Sequence, residues 1–270
     1  MSHEYFRNVT AVNGSPSFFP QNLTAYSSES KGLTYAAFAN KTHVNTISWD
    51  AKMEGMTNSQ IVIKNPSDSE PSAKHYTVLQ ARSSTGDVYV FSASDSGVKY
   101  KSEIKEHADS PIMDINGEPA DEMACSCSKD GVVVCYKANF AVSNKISTKL
   151  SITCCAMVRK HCLIGTLDGA VYMYLAASGE LRAKIACHAR LITSLTADHE
   201  TATFVTTSED TFVRLWRART RDMFELEVKF SEAVTDAPLV GAAYIKDKTL
   251  LLAAYDSPAL FIYRTATQRK

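Results

Sequence analysis

The chain has 270 residues, of which 45% are hydrophobic and 21% are charged, the composition of a folded protein with a sizeable core. The 29 Lys and Arg residues balance the 29 Asp and Glu residues, so the formal net charge is zero. No overall field therefore draws the chain onto nucleic acid or anionic lipid, and we expect no nucleic-acid partner.

The N-terminal residues from Met1 to Arg7 lack the basic and apolar segments of a secretory signal. The longest apolar stretch, 250–255, is far shorter than the roughly 20 residues of a membrane helix, so no membrane insertion is expected. The seven cysteines lack the density of a disulfide scaffold and the paired spacing of zinc ligands. These features predict a cytoplasmic protein with reduced cysteines, no metal site and no cofactor.

Short runs rich in β-branched residues recur along the chain, and each ends in an aromatic residue. In chain order they are 44–49, 88–91, 132–136, 171–174, 212–216 and 260–263, and their aromatic ends are 38 to 47 residues apart. Most follow a tight turn with Gly, Asp or Ser, which is preceded by another apolar run: 77–81, 123–126, 162–165, 204–207 and 250–254. This pattern predicts a series of β-hairpins.

Further strands are indicated by alternation of apolar and charged residues in 181–185 and 224–230, as expected of strands with one wet face. Helical spacing is nearly absent. An all-β array of four-stranded units with a period near forty residues is typical of a β-propeller, which we predict as a single domain over 1–270. Six third-strand runs indicate six blades, and a seventh would require a strand pair within 60–74. The N-terminal run 5–12 is expected to complete the last blade and close the ring.

The segments 188–195 and 205–216 resemble a WD repeat. The resemblance implies a buried, hydrogen-bonded tetrad made of His188, Thr206, Asp210 and Trp216. The earlier repeat offers a second set at nearly the same spacing, namely His107, Ser126, Asp130 and Tyr136. Elsewhere the pattern weakens: Asp168 with Tyr174 keeps half of it, Asp256 with Tyr263 carries one extra residue, and Trp49-Asp50 keeps only the dipeptide. The C-terminal third, 186–263, resembles more narrowly the family of WD-repeat-containing protein 54.

Four arginines fall within eight residues around the end of the fifth run: Arg214, Arg217, Arg219 and Arg221. Strand alternation would place several guanidinium groups on one side, able to bind an acidic segment of a partner, although a solvated loop would look the same. The segment 216–219 also resembles the Trp-Asp-x-Arg box of substrate receptors of cullin ubiquitin ligases. Here Arg217 replaces the Asp, which is a departure from that box.

No phosphate-binding loop, nucleophile elbow or His-Glu-x-x-His motif occurs, so no catalytic residue is predicted. The family resemblance implies a non-enzymatic protein–protein interaction scaffold with other proteins as partners and no small-molecule substrate. In this family the usual docking face carries the loops with the His residues and the turns with the Asp residues. On that face the chain would display Lys129, Leu167, Arg190 and Glu209. The alternatives are an adaptor of a cullin ubiquitin ligase and a propeller hydrolase. A cytoskeletal or ciliary location is compatible with such a scaffold.

Overall fold

A computed structural model of the chain describes residues 5–12, 14–18, 20–28, 31–40, 43–50, 56–62, 86–94, 97–107, 109–118, 122–198, 200–219, 225–245 and 249–265. Every helix or strand assigned within these ranges is a β-strand. No helix in this part of the chain is long and apolar enough to cross a membrane. The chain is therefore all-β across the described residues, as predicted.

The strands form five four-stranded sheets and one two-stranded sheet within these ranges. The N-terminal strand is β1 (Tyr5–Ala11). Sheet I contains β2 (Thr24–Ser28), β3 (Leu33–Asn40), β4 (His43–Asp50) and β5 (Thr57–Val62), and sheet II contains β6 (Val88–Ser94) and β7 (Gly97–Ile104). Sheet III contains β8 (Ile112–Glu118), β9 (Met123–Ser128), β10 (Val132–Lys137) and β11 (Val142–Ser147).

Sheet IV contains β12 (Ile152–Val158), β13 (His161–Thr166), β14 (Ala170–Leu175) and β15 (Leu181–Ala186). Sheet V contains β16 (Ile192–Asp198), β17 (Thr203–Ser208), β18 (Phe212–Arg219) and β19 (Glu225–Ala233). Sheet VI contains β20 (Leu239–Ile245), β21 (Thr249–Ala254) and β22 (Ala259–Thr265), with β1 as its fourth strand. Neighbouring strands of each sheet are antiparallel.

The runs that end in an aromatic residue are strands in the structure. Five of them lie in β4, β10, β14, β18 and β22, each the third strand of its sheet, and the run at 88–91 opens β6. The alternating segment 181–185 lies in β15, and 225–230 of the second segment lies in β19, while residue 224 is outside the described residues. The predicted run 77–81 and most of the segment 60–74, proposed for a seventh blade, lie outside the described residues.

The N-terminal strand pairs with the last strand, from Tyr5 opposite Thr265 to Ala11 opposite Ala259. Side chains reinforce this pairing, because Tyr263 donates a hydrogen bond to Glu232 over 3.1 Å and Arg7 lies 3.4 Å from the same carboxylate. The prediction that residues near the N-terminus complete the last sheet is confirmed.

The chain divides into two compact units. The terminal unit comprises Met1–Lys64 with Cys187–Lys270, and the central unit comprises Asn65–Ala186. Within the terminal unit, sheets I and VI pack through a cluster that includes Phe38, Ile47, Trp49, Val240, Leu251 and Ile262. Sheets V and VI pack through Val205, Val213, Leu215, Leu239, Leu250 and Tyr263. One narrow sheet cannot cover both of its faces alone, so neighbouring sheets stabilise each other by apolar burial.

Within the central unit, sheets III and IV pack against each other in the same way. Its core cluster contains Cys125, Cys127, Cys135, Cys155, Met157 and Cys162, all fully buried. All seven cysteines are buried thiols that form no disulfide. Burial raises the pKa of the Cys155 thiol well above its usual value, as expected of a small apolar core residue.

The segment that precedes β2 ties the three sheets of the terminal unit together. The Gln21 side chain donates to the carbonyl of Leu195 over 2.8 Å and accepts from Ser194, while the Asn22 backbone N–H donates to Val240 over 2.9 Å. The Ser194 hydroxyl in turn accepts from the N–H of Ala242 over 3.0 Å. This segment therefore links sheets V and VI at the entry to sheet I.

Candidate interaction face

One backbone hydrogen bond recurs in four sheets at the turn between the second and third strands. The N–H of the first turn residue donates to a carbonyl in the loop before the first strand, at Lys129 to Pro111 (2.9 Å), Leu167 to Ser151 (3.0 Å), Glu209 to Leu191 (3.3 Å) and Tyr255 to Pro238 (2.8 Å). The bond holds two loops together at the same end of each sheet. Four of the residues predicted for docking, Lys129, Leu167, Arg190 and Glu209, lie on these loops.

A buried polar chain holds the loops of sheet V. The Nδ1 atom of His188 lies 3.0 Å from both carboxylate oxygens of Asp210, and its Nε2 lies 2.8 Å from the Thr206 hydroxyl. The Trp216 indole N–H donates to the same hydroxyl over 2.9 Å. The structure thus places His188, Thr206, Asp210 and Trp216 in one connected group, and His188, Thr206 and Trp216 are buried.

The proton positions follow from the number of donors. Trp216 can only donate, so the Thr206 oxygen accepts from it. With the ring proton on Nδ1, the Nε2 atom of His188 is an acceptor, and the Thr206 hydroxyl donates to it. His188 Nδ1 in turn donates to Asp210. Arg214 Nη1 lies 2.7 Å from the same Nδ1, but we assign the proton to the ring because a bare lone pair facing two carboxylate oxygens would be repelled.

Burial decides the charge states of this group. It lowers the pKa of His188 to about 4, which outweighs the attraction of Asp210 for the protonated ring. Burial alone would raise the pKa of Asp210, yet hydrogen bonds from the N–H groups of Phe212 and Ala189 and the nearby ring hold it below the usual value. The imidazole is therefore neutral and the carboxylate charged at neutral pH.

The second predicted set is connected differently. His107 Nε2 lies 2.6 Å from Ser126, and Ser126 lies 2.8 Å from the Tyr136 hydroxyl, as in sheet V. On the other side, however, Ser128 stands between the ring and the carboxylate: His107 Nδ1 lies 2.7 Å from Ser128, which donates to Asp130 over 2.6 Å. Asp130 is exposed and its link to His107 is indirect.

The partial repeats keep fragments of this arrangement. Thr166 donates to Asp168 and to the carbonyl of Ala170, just as Ser128 donates across its own turn. In sheet VI, Tyr263 takes the position of the tryptophan but donates to Glu232 of sheet V, whereas Trp216 donates to the Thr206 hydroxyl of its own sheet. The turn between β13 and β14 is thus closed by a carboxylate and a hydroxyl group without a histidine.

The four arginines of the basic cluster do not form one surface. Arg214 donates to the carbonyl of Cys187 over 2.9 Å, lies 3.6 Å from Asp210 and stacks 4.6 Å from the Phe212 ring, so it belongs to the polar group of sheet V. Arg217 is three residues farther along the strand and therefore on its opposite face, opposite Glu227 in the ladder. Arg214 is thus not a free member of the predicted cluster.

The structure describes the rest of this cluster only in part. The backbone of Arg219 pairs with Glu225 in β18 and β19, and Arg221 lies outside the described residues. Arg217 is half-buried.

The residues predicted for docking differ in exposure. Leu167 is 54% exposed, an unusual value for a leucine, while Lys129 and Arg190 are exposed and Glu209 is half-buried. Within the described ranges, no group of three or more His, Cys, Asp or Glu residues is arranged to hold a metal ion.

Sequence comparison identifies the family to which these repeats belong. The WDR54 family matches residues 25–263, nearly the whole chain. The chain belongs to the WDR54 family. Human WD repeat-containing protein 54 is 28% identical over 174 residues, which cover 59% of this chain and 52% of the human protein. The mouse protein of the same name is 32% identical over 80 residues, covering 28% of this chain and 24% of that protein. The match therefore spans about half the length of the human relative.

Solved structures of low sequence identity share the fold. Chaetomium thermophilum Raptor superimposes with a TM-score of 0.66 at 11% identity, covering 98% of this chain and 30% of Raptor. The computationally designed Ika8 protein gives a TM-score of 0.54 at 14% identity, covering 89% of this chain and 70% of that protein. With its repeated four-stranded antiparallel sheets and its family membership, this member of the WDR54 family has the WD-repeat β-propeller fold.

Proposed function

We propose that the chain is a non-enzymatic protein–protein interaction scaffold, a single propeller domain that works within a larger intracellular complex. The recurring backbone bond carries this proposal, because it fixes paired loops at one end of four sheets, and these loops carry the exposed side chains of Lys129, Leu167 and Arg190. Loops on a stiff support bind partners at low entropic cost. The proposed location is the cytoplasm, with a cytoskeletal or ciliary assembly as one setting.

The chemistry of the buried groups supports a structural role for the histidines. Each imidazole is enclosed and has its hydrogen-bonding partners inside its own sheet, so neither is placed to exchange protons with a substrate. A hydrolase therefore receives no support from either histidine.

The ubiquitin-ligase alternative depends on the segment after Trp216. Arg217 occupies the position of the Asp in the Trp-Asp-x-Arg box, and in the structure it lies in a continuous strand opposite Glu227. Nothing in this geometry favours the adaptor role over the general scaffold. The proposed acidic partner of the basic cluster is assigned to Arg217, Arg219 and Arg221. Charge reversal at Arg217 and Arg219 together should weaken this partner and leave the fold intact, and binding that ignores the reversal would reject it.

Two leucines of the central unit provide a matched test of the docking face. Leu167 is 54% exposed on the turn between β13 and β14, and Leu181 is 49% exposed on the outer strand β15. We expect partners that co-purify with the tagged chain from native cells to be lost with L167D and kept with L181D. Both variants should melt at the same temperature as the parent chain.

Partners recovered by co-purification are then produced recombinantly and titrated against the parent chain, L167D and L181D. A partner set that ignores L167D and disappears with L181D would contradict the proposed face. Turnover of a generic ester, peptide or phosphate substrate by the purified chain would contradict the non-enzymatic role.

A further inference from the structure

Two exposed aromatic rings meet on loops at the loop end of sheet VI. The centroids of Phe18 and Tyr255 are 5.5 Å apart with the rings nearly perpendicular at 89°. Phe18 is 44% exposed and Tyr255 is 47% exposed. Aromatic side chains supply much of the binding energy of protein interfaces. A pair of aromatic rings that is held in place and half-exposed to solvent is therefore a candidate contact surface.

Backbone bonds hold this pair in place. The Tyr255 N–H donates to Pro238 over 2.8 Å, and the Asp256 N–H donates to Pro16 over 3.3 Å. The Ser15 hydroxyl donates to the Asp256 carboxylate over 3.4 Å. The rings are therefore presented by three loop segments bound to one another, 14–18, 234–238 and 255–258, so a partner would not have to order them.

The charge of these segments is of one sign. They carry Asp236 and Asp256 and no Lys or Arg. Both aspartates are exposed, and both occupy left-handed turn positions, with φ values of 57° and 52°. Among the described residues, no basic side chain forms an ion pair with either carboxylate.

We propose that this aromatic–acidic patch, made of Phe18, Asp236, Tyr255 and Asp256, docks a basic segment of a partner protein. The inference rests on the proposed scaffold function and names the chemistry of one partner. An arginine or lysine can place its cationic head near the ring faces and the carboxylates while its aliphatic stem covers the apolar ring surface. The same carboxylates repel acidic segments, phosphate groups and anionic lipid, which excludes those ligands from this patch.

The test uses the purified full chain and a phage-displayed library of linear twelve-residue peptides. We expect the selected peptides to be enriched in arginine or lysine beside an apolar residue. A synthetic fluorescein-labelled peptide of the best clone should lose roughly 3- to 30-fold in affinity when its basic residue is replaced by citrulline or norleucine, the range that a desolvated cation–aromatic contact supplies.

Variants of the chain locate the contact. Y255A and D256N should each weaken the labelled peptide several-fold in fluorescence anisotropy. Y26A should leave it unchanged, because Tyr26 is an aromatic residue of the same unit, 67% exposed on β2 and outside the patch. Unchanged melting temperatures exclude unfolding as the cause.

Selected peptides without basic enrichment, or affinity that survives both Y255A and D256N, would overturn the inference. That failure is separable from failure of the scaffold function. If native partners are lost with L167D and kept with L181D, the scaffold function stands. The proposal of a basic ligand can then still fail separately in the peptide experiment.

Discussion

Asp114 of β8 accepts a hydrogen bond from the backbone N–H of Cys155 in β12 over 2.8 Å, a direct polar link between sheets III and IV. Its other carboxylate oxygen accepts from the N–H of Ile115 over 2.8 Å. Asp114 is completely buried. A buried carboxylate is costly unless its oxygens are occupied, so this residue makes the packing of the two sheets specific as well as tight.

Replacing Asp114 by alanine should therefore destabilise the central unit. D114A leaves the Cys155 N–H buried without this acceptor, and we expect a loss of about 1–3 kcal/mol in the free energy of unfolding. N116A serves as the comparison and should destabilise the chain less. Asn116 accepts from the Met157 N–H over a longer distance, 3.1 Å, and is only half-buried. Urea unfolding measures both. A D114A variant as stable as the parent, or less affected than N116A, would contradict the assignment.

The two histidine groups should respond unequally to loss of their aspartates. Asp210 contacts His188 through both oxygens and accepts two further backbone bonds, so D210A should cost about 1–3 kcal/mol. Asp130 reaches His107 only through Ser128 and is exposed, so D130A should cost less, under about 1 kcal/mol. Melting temperatures of the two variants decide the order, and an equal loss would show that the relay through Ser128 is as strong as the direct contact.

The periodicity of apolar residues predicted the third strands because each occupies the middle of a sheet, where both faces are buried and the residue choice is narrow. The tetrad residues were predicted from the resemblance of 188–195 and 205–216 to a WD repeat, and the second set from its nearly equal spacing. The N-terminal strand was predicted from the need for a fourth strand in the last sheet.

Individual side-chain hydrogen bonds left no such pattern in the sequence. Ser128 is one serine among several near a turn, and nothing in the sequence distinguishes its role from that of Ser208 at the equivalent position. Arg214 looked like one member of a basic run, yet its strand face directs it to Asp210 while Arg217 points away. Such assignments depend on which residues meet in space, which spacing along the chain does not determine.

Acid should destabilise the chain through its two buried histidines. Burial is the leading cause that lowers the pKa of both His107 and His188 to about 4, with Asp130 and Lys145 near the first ring and Asp210 and Arg214 near the second. An unfolded histidine has a pKa of about 6.5, so between about pH 6.5 and 4 the unfolded chain binds more protons than the folded chain. Stability is therefore fully present above pH 6.5 and falls as the pH drops toward 4.

The expected slope is about 1.4 kcal/mol per pH unit for each histidine where only the unfolded form is protonated. Urea titrations at several pH values between 7.5 and 4.5 measure it. H107Q and H188Q should each reduce the slope by about one proton, whatever they do to the stability at pH 7.5. A slope unchanged in both variants would assign the acid sensitivity to other groups.

Gly241 of β20 provides a final test of how closely the terminal unit is packed. A Cβ atom added there would lie 2.6 Å from both the Cβ and the backbone nitrogen of Leu23. Backbone cannot yield as a flexible side chain would, so G241A should cost about 1–3 kcal/mol by overpacking. Gly117 is the matched control, because a Cβ there would meet only the Met123 carbonyl at 3.7 Å. G117A should be neutral or stabilising by up to roughly 1 kcal/mol, since alanine loses less entropy in a strand. Thermal unfolding of the two variants makes the comparison, and equal melting temperatures would mean that the entry segment around Leu23 can move away from sheet VI without loss.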